Sequence, residues 1–283
     1  MEVEMKTKMK ARFALRALAG ESASPEMLDK FSTSEKEIAR FAGRLRKWAY
    51  RAFQPPALEV AVAALAVATR ERGLHIVQIG ANDGVTGDPV HELILSYAGR
   101  ALLVEPQTML IDRLRSNYAE YSGELHIVNQ AIGSEGDHLV LHTLREDLHE
   151  VYQQRVGRHP SAIASFDADY VKAKVRERLD LDELAVESAV LATPVPASRL
   201  DVLLAEHGFS QVDLLQVDCE GYDWKVLETL GDVRPAIINF ESFNLSRADW
   251  AAWVDWARAN GYGFIQGHMD CLAIKGYQRT SSY

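Results

Sequence analysis

Ile76-Val77-Gln78-Ile79-Gly80-Ala81-Asn82-Asp83-Gly84 reads as a short apolar strand running straight into a glycine-bearing turn. Apolarity without alternation suits a strand covered on both faces, as in a parallel sheet with helices on either side. Gly80 and Gly84 carry no Cβ, so the backbone there can bend sharply and approach a ligand closely. A second strand of the same kind, Ala101–Val104, ends at Glu105 about one βαβ unit later. A carboxylate at that place can accept hydrogen bonds from both hydroxyls of a ribose. Turn and acid together point to a nucleoside cofactor.

Two such cofactors compete. A dinucleotide site wants Gly-x-Gly-x-x-Gly, whose middle glycine admits the pyrophosphate. This chain has Gly-x-Asn-x-Gly, with Asn82 where the pyrophosphate would press. Asn and Asp side chains can hydrogen-bond an amino-acid head group but offer nothing positive to a phosphate. S-adenosylmethionine, a nucleoside with a zwitterionic tail and no phosphate, is favoured. A nicotinamide-dependent oxidoreductase is the rival enzyme, and a non-catalytic cofactor-binding assembly module is the rival of another class.

The rest of the chain repeats this rhythm. Asp88-Pro89 starts a helix with Val90, Leu93, Ile94 and Tyr97 on one face, closed by Gly99. Helix 107–118 follows the second strand, then strand 125–132, then 138–144, which arrives too soon for a crossover and should pair antiparallel. After an irregular stretch, Ser198 caps helix 199–207 in a capping-box pattern with Asp201. Strand 212–217 ends at Asp218, helix 223–230 follows, and strand 236–240 ends at Glu241. Helix 247–260 carries Trp250, Trp253 and Trp256, read as packing, and 262–266 with 271–275 reads as a closing hairpin. The order implies a Rossmann-like, doubly wound, mostly parallel α/β sheet with an antiparallel terminal hairpin.

Residues 1–56 read as an N-terminal helical extension ended by Pro55-Pro56, and 57–283 as the main domain. Within it, 145–192 is polar, charged and helix-prone around 171–184, the pattern of a cap or substrate lid. The N-terminal helices could pair two copies into a homo-oligomer.

The 283 residues are 47% apolar with a formal net charge of −9, which argues against a broad nucleic-acid footprint. No apolar run is long enough for a membrane span, and the N-terminus lacks the apolar core of a signal peptide. Cys219 and Cys271 read as free thiols, in keeping with a reducing cytoplasm.

Ligands of open α/β sheets bind at the carboxyl ends of the strands. Those ends are Gly80–Gly84, Glu105, Gln130 with Ala131, Asp218–Gly221 and Glu241. Four of the five bring a carboxylate, a costly gathering unless a sulfonium and an ammonium, or a divalent metal, sit among them. Asp218, Glu220 and Glu241 are the candidate catalytic acids, with Asp223 read as a helix cap. Mg²⁺ is the alternative guest of these oxygens and is not favoured, so no metal ligand is assigned. Of the nine histidines, none in a metal-spaced helical pair, His142 and His268 are the ones to test as bases.

Taken together, 77–84, Asp88-Pro89, Leu103-Val104-Glu105-Pro106, 129–133, 213–223 and Ile237-Ile238-Asn239-Phe240-Glu241 resemble the FkbM family of methyltransferases, in order from about 76 to 274. Ala164-Ser165-Phe166 is similar to a loop of that family as well. The resemblance implies a class I methyltransferase fold and S-adenosylmethionine-dependent O-methylation of a small-molecule acceptor such as a sugar, polyketide or other secondary metabolite. By position it implies Gly80, Asn82 and Gly84 around the methionine part, Glu105 at the ribose, and Gln130 and Ala131 beside the adenine, with Ala81, Asp83, Pro106 and Asp218 completing the cofactor-binding set. Many members carry His after the acid matching Glu241; here Ser242 stands there.

Overall fold

The computed structural model describes residues 57–69, 72–134 and 138–277. The chain divides into two units, Met1–Val60 and Ala61–Tyr283. The expected extension, with its role in pairing, lies outside the described residues.

After α1 (Ala57–Ala68), the chain forms β1 (Leu74–Ile79), α2 (His91–Tyr97), β2 (Ala98–Val104), α3 (Thr108–Asn117) and β3 (Glu124–Val128). Two strands follow, β4 (Ala131–Ile132) and β5 (His138–Leu144), and then three helices, α4 (His149–Val156), α5 (Ala168–Leu179) and α6 (Glu183–Ala189). The long β6 (Val190–Ser198) leads to α7 (Leu200–Glu206), β7 (Leu214–Val217), α8 (Asp223–Leu227) and β8 (Ile237–Glu241). The chain closes with α9 (Arg247–Ala259), β9 (Tyr262–Gln266) and β10 (Asp270–Lys275).

Seven strands form one sheet in the order β3-β2-β1-β7-β8-β10-β9. The pairs from β3 to β8 are parallel, and β10 runs antiparallel to both β8 and β9. The chain leaves β1 toward β2 and β3, then returns to lay β7 on the other side of β1. The crevice at the carboxyl ends of β1 and β7 is therefore the topological switch point. Val77, Leu102, Leu215 and Ile238 are buried in one cluster with Trp253 of α9, which meets Phe240, Trp224, Trp256 and Phe264. The tryptophans thus pack, as expected.

Several local expectations are corrected. The strand at the opening motif is interrupted in polarity by Gln78, only 2% exposed, whose amide donates to Asp88 Oδ2 at 3.0 Å. Asp88 does cap, accepting from the N–H groups of Val90 and His91, but α2 ends before Gly99, which lies inside β2. The single strand expected over 125–132 is two, because Asn129 turns away to hold the carbonyls of Glu105 and Pro106. β4 joins a second sheet, ordered β4-β6-β5. β5 is antiparallel, as expected, but to β6. Ser198 does not cap α7: it accepts from Gln130, and the Leu200 N–H is satisfied by Thr229 Oγ1 at 3.0 Å.

The 145–192 stretch is helical with its own buried cluster, in which Tyr152, Ile163, Val171, Val175, Leu179 and Val186 meet Leu144 at the end of β5. The helix expected over 171–184 is two, α5 and α6, separated at Asp180, which is left-handed (φ +55°). Among the described residues, no helix is long and apolar enough to cross a membrane.

Candidate active site

The turn after β1 is built by its own backbone. Gly80 and Ala81 donate to the Val104 carbonyl at 2.9 and 3.1 Å, which ties the turn to the end of β2. A Cβ on Gly80 (φ +79°) would stand 1.9 Å from the Asp218 carbonyl oxygen. That glycine is required by the close approach of β1 and β7, not only by a ligand. The same contact brings the turn after β1 against the acidic turn after β7.

Glu105, 2% exposed, lies under this turn. Its Oε2 accepts from the Asn82 N–H at 2.8 Å and its Oε1 from the Gln107 N–H at 2.9 Å. Burial pushes its proton affinity up, and these hydrogen bonds hold it down in part. Each oxygen keeps a further lone pair for a hydroxyl. Asp83 holds its own turn: its oxygens accept from Val85 N–H, Thr86 N–H and Thr86 Oγ1, and Arg113 stands 3.4 Å away. Pro106 lines a hollow of about 210 Å³ between the start of α3 and the second sheet. Ala131 is buried in the core of that sheet, and Gln130 gives its amide to Ser198 Oγ at 2.8 Å. Asn129 lies beside Glu105 and Pro106, its amide donating to both carbonyls.

The acids gather at the tips of β7 and β8. Asp218, just past the end of β7, is exposed, yet protein crowds its surroundings. That enclosure, then repulsion from Asp223, Glu241, Glu220 and Asp270, pushes its carboxyl well above the usual range. Glu241 rises to about 7, through burial and then Glu220. Glu220 is also raised by burial, eased by Tyr170, Lys174, Arg178 and Arg158 of the insertion. Asn244 Nδ2 bridges the two, 2.7 Å from Glu241 Oε2 and 3.3 Å from Glu220 Oε2, and the Tyr170 hydroxyl donates to Glu220. Asp223, fully buried, accepts from Cys219 and Gly221 N–H and rises to about 8, through burial and then Glu241. It fastens the preceding turn and does not cap the helix as expected: Tyr222 is the N-cap residue, Asp223 is the first helical residue, and its carboxylate reaches back to N–H groups before the helix.

Asn82 (φ +50°) and Glu220 (φ +49°) are two of the three non-glycine residues with left-handed backbone among those described. Held strain of this kind collects at working sites. His142 lies on β5 with its backbone paired to Ser165, and the His268 ring faces Phe243 at 6.0 Å. Ser242 is buried and its hydroxyl is spent on the Met269 carbonyl. Tyr170, Asn244, Ser161 and His159 were not singled out in the sequence. Only the contacts of the folded insertion and of the β8–α9 loop give them a role. Among the described residues, no three His, Cys, Asp or Glu side chains gather as a metal-ligand set.

Numbered within the main sheet alone, the strand order is 3-2-1-4-5-7-6, that of class I methyltransferases. Residues 78–264, more than half of the chain, match the family model described as the methyltransferase FkbM domain, so the chain belongs to the FkbM methyltransferase family. Among solved structures it is similar to methyltransferase FkbM from Methylobacillus flagellatus KT, at 11% identity and a TM-score of 0.43, over 92% of this chain and 58% of that one. The chain thus spans less than two thirds of that protein. It is also similar to an O-methyltransferase from Bacillus cereus in complex with SAH (12% identity, TM-score 0.38, 78% and 81% covered). A third is a ribosomal protein L11 methylase from Lactobacillus delbrueckii subsp. bulgaricus (10% identity, TM-score 0.34, 76% of each covered). No curated protein matches the chain.

Proposed function

We propose that this chain transfers a methyl group from S-adenosylmethionine to a hydroxyl of a small-molecule acceptor such as a sugar, a polyketide or another secondary metabolite. The observation that carries the reading is the meeting of donor turn and acid rim, where Gly80 packs on the Asp218 carbonyl at the switch point. The residues fit the donor. Glu105 has lone pairs left for a ribose, and the acids outnumber the cations around them, which favours a sulfonium and an ammonium. The donor, when bound, supplies an electrophilic methyl on a positively charged sulfur.

The protein's share is alignment and proton transfer. Good alignment of two reactants is worth an effective molarity of roughly 10⁵–10⁸ M. A placed base adds about 10²–10⁴-fold. Asp218, beside the donor turn, orients the acceptor hydroxyl and takes its proton. Glu241, raised to about 7, is better matched to neutral pH as a proton acceptor than an ordinary carboxylate. Glu220 joins it to the insertion through Tyr170 and Asn244. The net charge of −9 favours a small acceptor over a nucleic acid.

Labelled donor and a panel of sugars and polyketide alcohols test the reading. Asp218→Asn should lower turnover by about 10²-fold or more, the size of a lost base, with SAH affinity within a few fold. Turnover equal to the parent's removes Asp218 from the mechanism. Saturable SAH binding with no acceptor methylated would favour the assembly-module reading.

A further inference from the structure

The insertion reaches the donor side of the site as well as the acid rim. Its short 3-10 turn, Pro160–Ile163, is anchored by Pro160 and Ile163, both buried, and Ser161 is only 9% exposed. Ser161 Oγ lies 3.3 Å from both Nδ2 and Oδ1 of Asn82, 79 residues earlier in the chain. The same hydroxyl stands 2.9 Å from His159 Nδ1, and the Ser161 carbonyl accepts from Gln107 Nε2 at 3.3 Å. Asn82 and Gln107 are the two residues whose backbone N–H groups bind Glu105. The insertion thus grips by their side chains the pair that the ribose acid grips by their backbones.

The hollow of about 210 Å³ has walls from both partners: Pro106 and Gln107 from the strand end, His159 and Ser161 from the insertion, Leu141 and Val195 from the second sheet. Apolar flanks with a few polar groups suit a flat heterocycle with a polar edge. Burial, then the neighbouring His149, lowers the proton affinity of His159, so its ring is suited to neutral hydrogen bonding.

We propose that Ser161 and His159 are donor-binding residues, so that the insertion completes the nucleoside pocket. The proposal rests on the methyl-donor reading above. A merely structural clasp between the insertion and Asn82 would alter melting temperature without a matching change in donor affinity.

The test is calorimetric titration of the full chain with SAH, in the parent and in Ser161→Ala and His159→Gln, with melting temperatures recorded alongside. A parallel digest with trypsin follows cleavage after Arg158, an exposed residue directly before His159. The expected result is SAH affinity weakened about tenfold in each variant, the scale of one or two lost hydrogen bonds. SAH should also slow cleavage after Arg158 in the parent and not in Ser161→Ala. A parent that binds SAH, with both variants within about twofold and cleavage unaltered, overturns the proposal and leaves the donor reading intact. A parent that binds no SAH overturns the donor reading itself.

Discussion

Glu105 owes its place to two backbone N–H groups, from Asn82 and Gln107, and this decides how it must be tested. Truncation to Ala would release the turn and confuse binding with folding. Glu105→Gln keeps the shape and one acceptor oxygen while removing the charge. It should weaken SAH binding about ten- to hundredfold, the worth of about 1.5–3 kcal/mol for hydrogen bonds to a charged group, as read by calorimetry. The placement of Glu105 and Asp218 just past the ends of apolar strands was legible in the sequence. The bonding of Asp83 was not legible, because only the fold turns its carboxylate back onto Thr86 and Val85. Ser161 and Asn244 were invisible for the same reason, since a polar residue in a loop declares nothing until its partners are known, Asn82 for Ser161 and Glu220 for Asn244.

At the scale of the element, patterns survived where burial was uniform and failed where it was mixed. β1, β2, β7 and β8 are buried along most of their length and stood out as apolar runs. β6 did not, because it is largely exposed and contains Pro194 and Pro196. Both prolines lie where β6 pairs with β5 alone, so their missing N–H groups cost no ladder bond on the other side. The quoted Asp213 also proves to be a framework residue. At the amino end of β7 it forms a two-pronged pair with Arg72 at 2.7 and 2.8 Å, away from the strand tips that hold the site. In α9, Trp253 is fully buried against Phe240 and Trp224. Trp253→Ala should cost about 3–5 kcal/mol, seen as a lower denaturant midpoint, whereas Trp250→Ala, half-buried, should cost less.

For the whole molecule, the acid rim links stability to pH. Glu241 has its proton affinity raised from 4.5 to about 7 in the folded chain. A raised carboxyl contributes stability below its unfolded value, and that contribution is lost as pH climbs through the folded value. Between about pH 4.5 and 7, Glu241 therefore destabilises the parent progressively, and Glu241→Gln does not share the loss. The melting temperature of the variant relative to the parent should rise across this window and level off above it. A constant difference would show that Glu241 titrates as an exposed acid.

The central claim is that the crevice between β1 and β7 holds a cationic methyl donor and rejects a dinucleotide. Calorimetric titration of the intact chain with SAH, and in parallel with NADH, tests it most directly. Saturable one-site binding of SAH, weakened by Glu105→Gln, is expected, with no heat from NADH. Saturable NADH binding with silence toward SAH would contradict it.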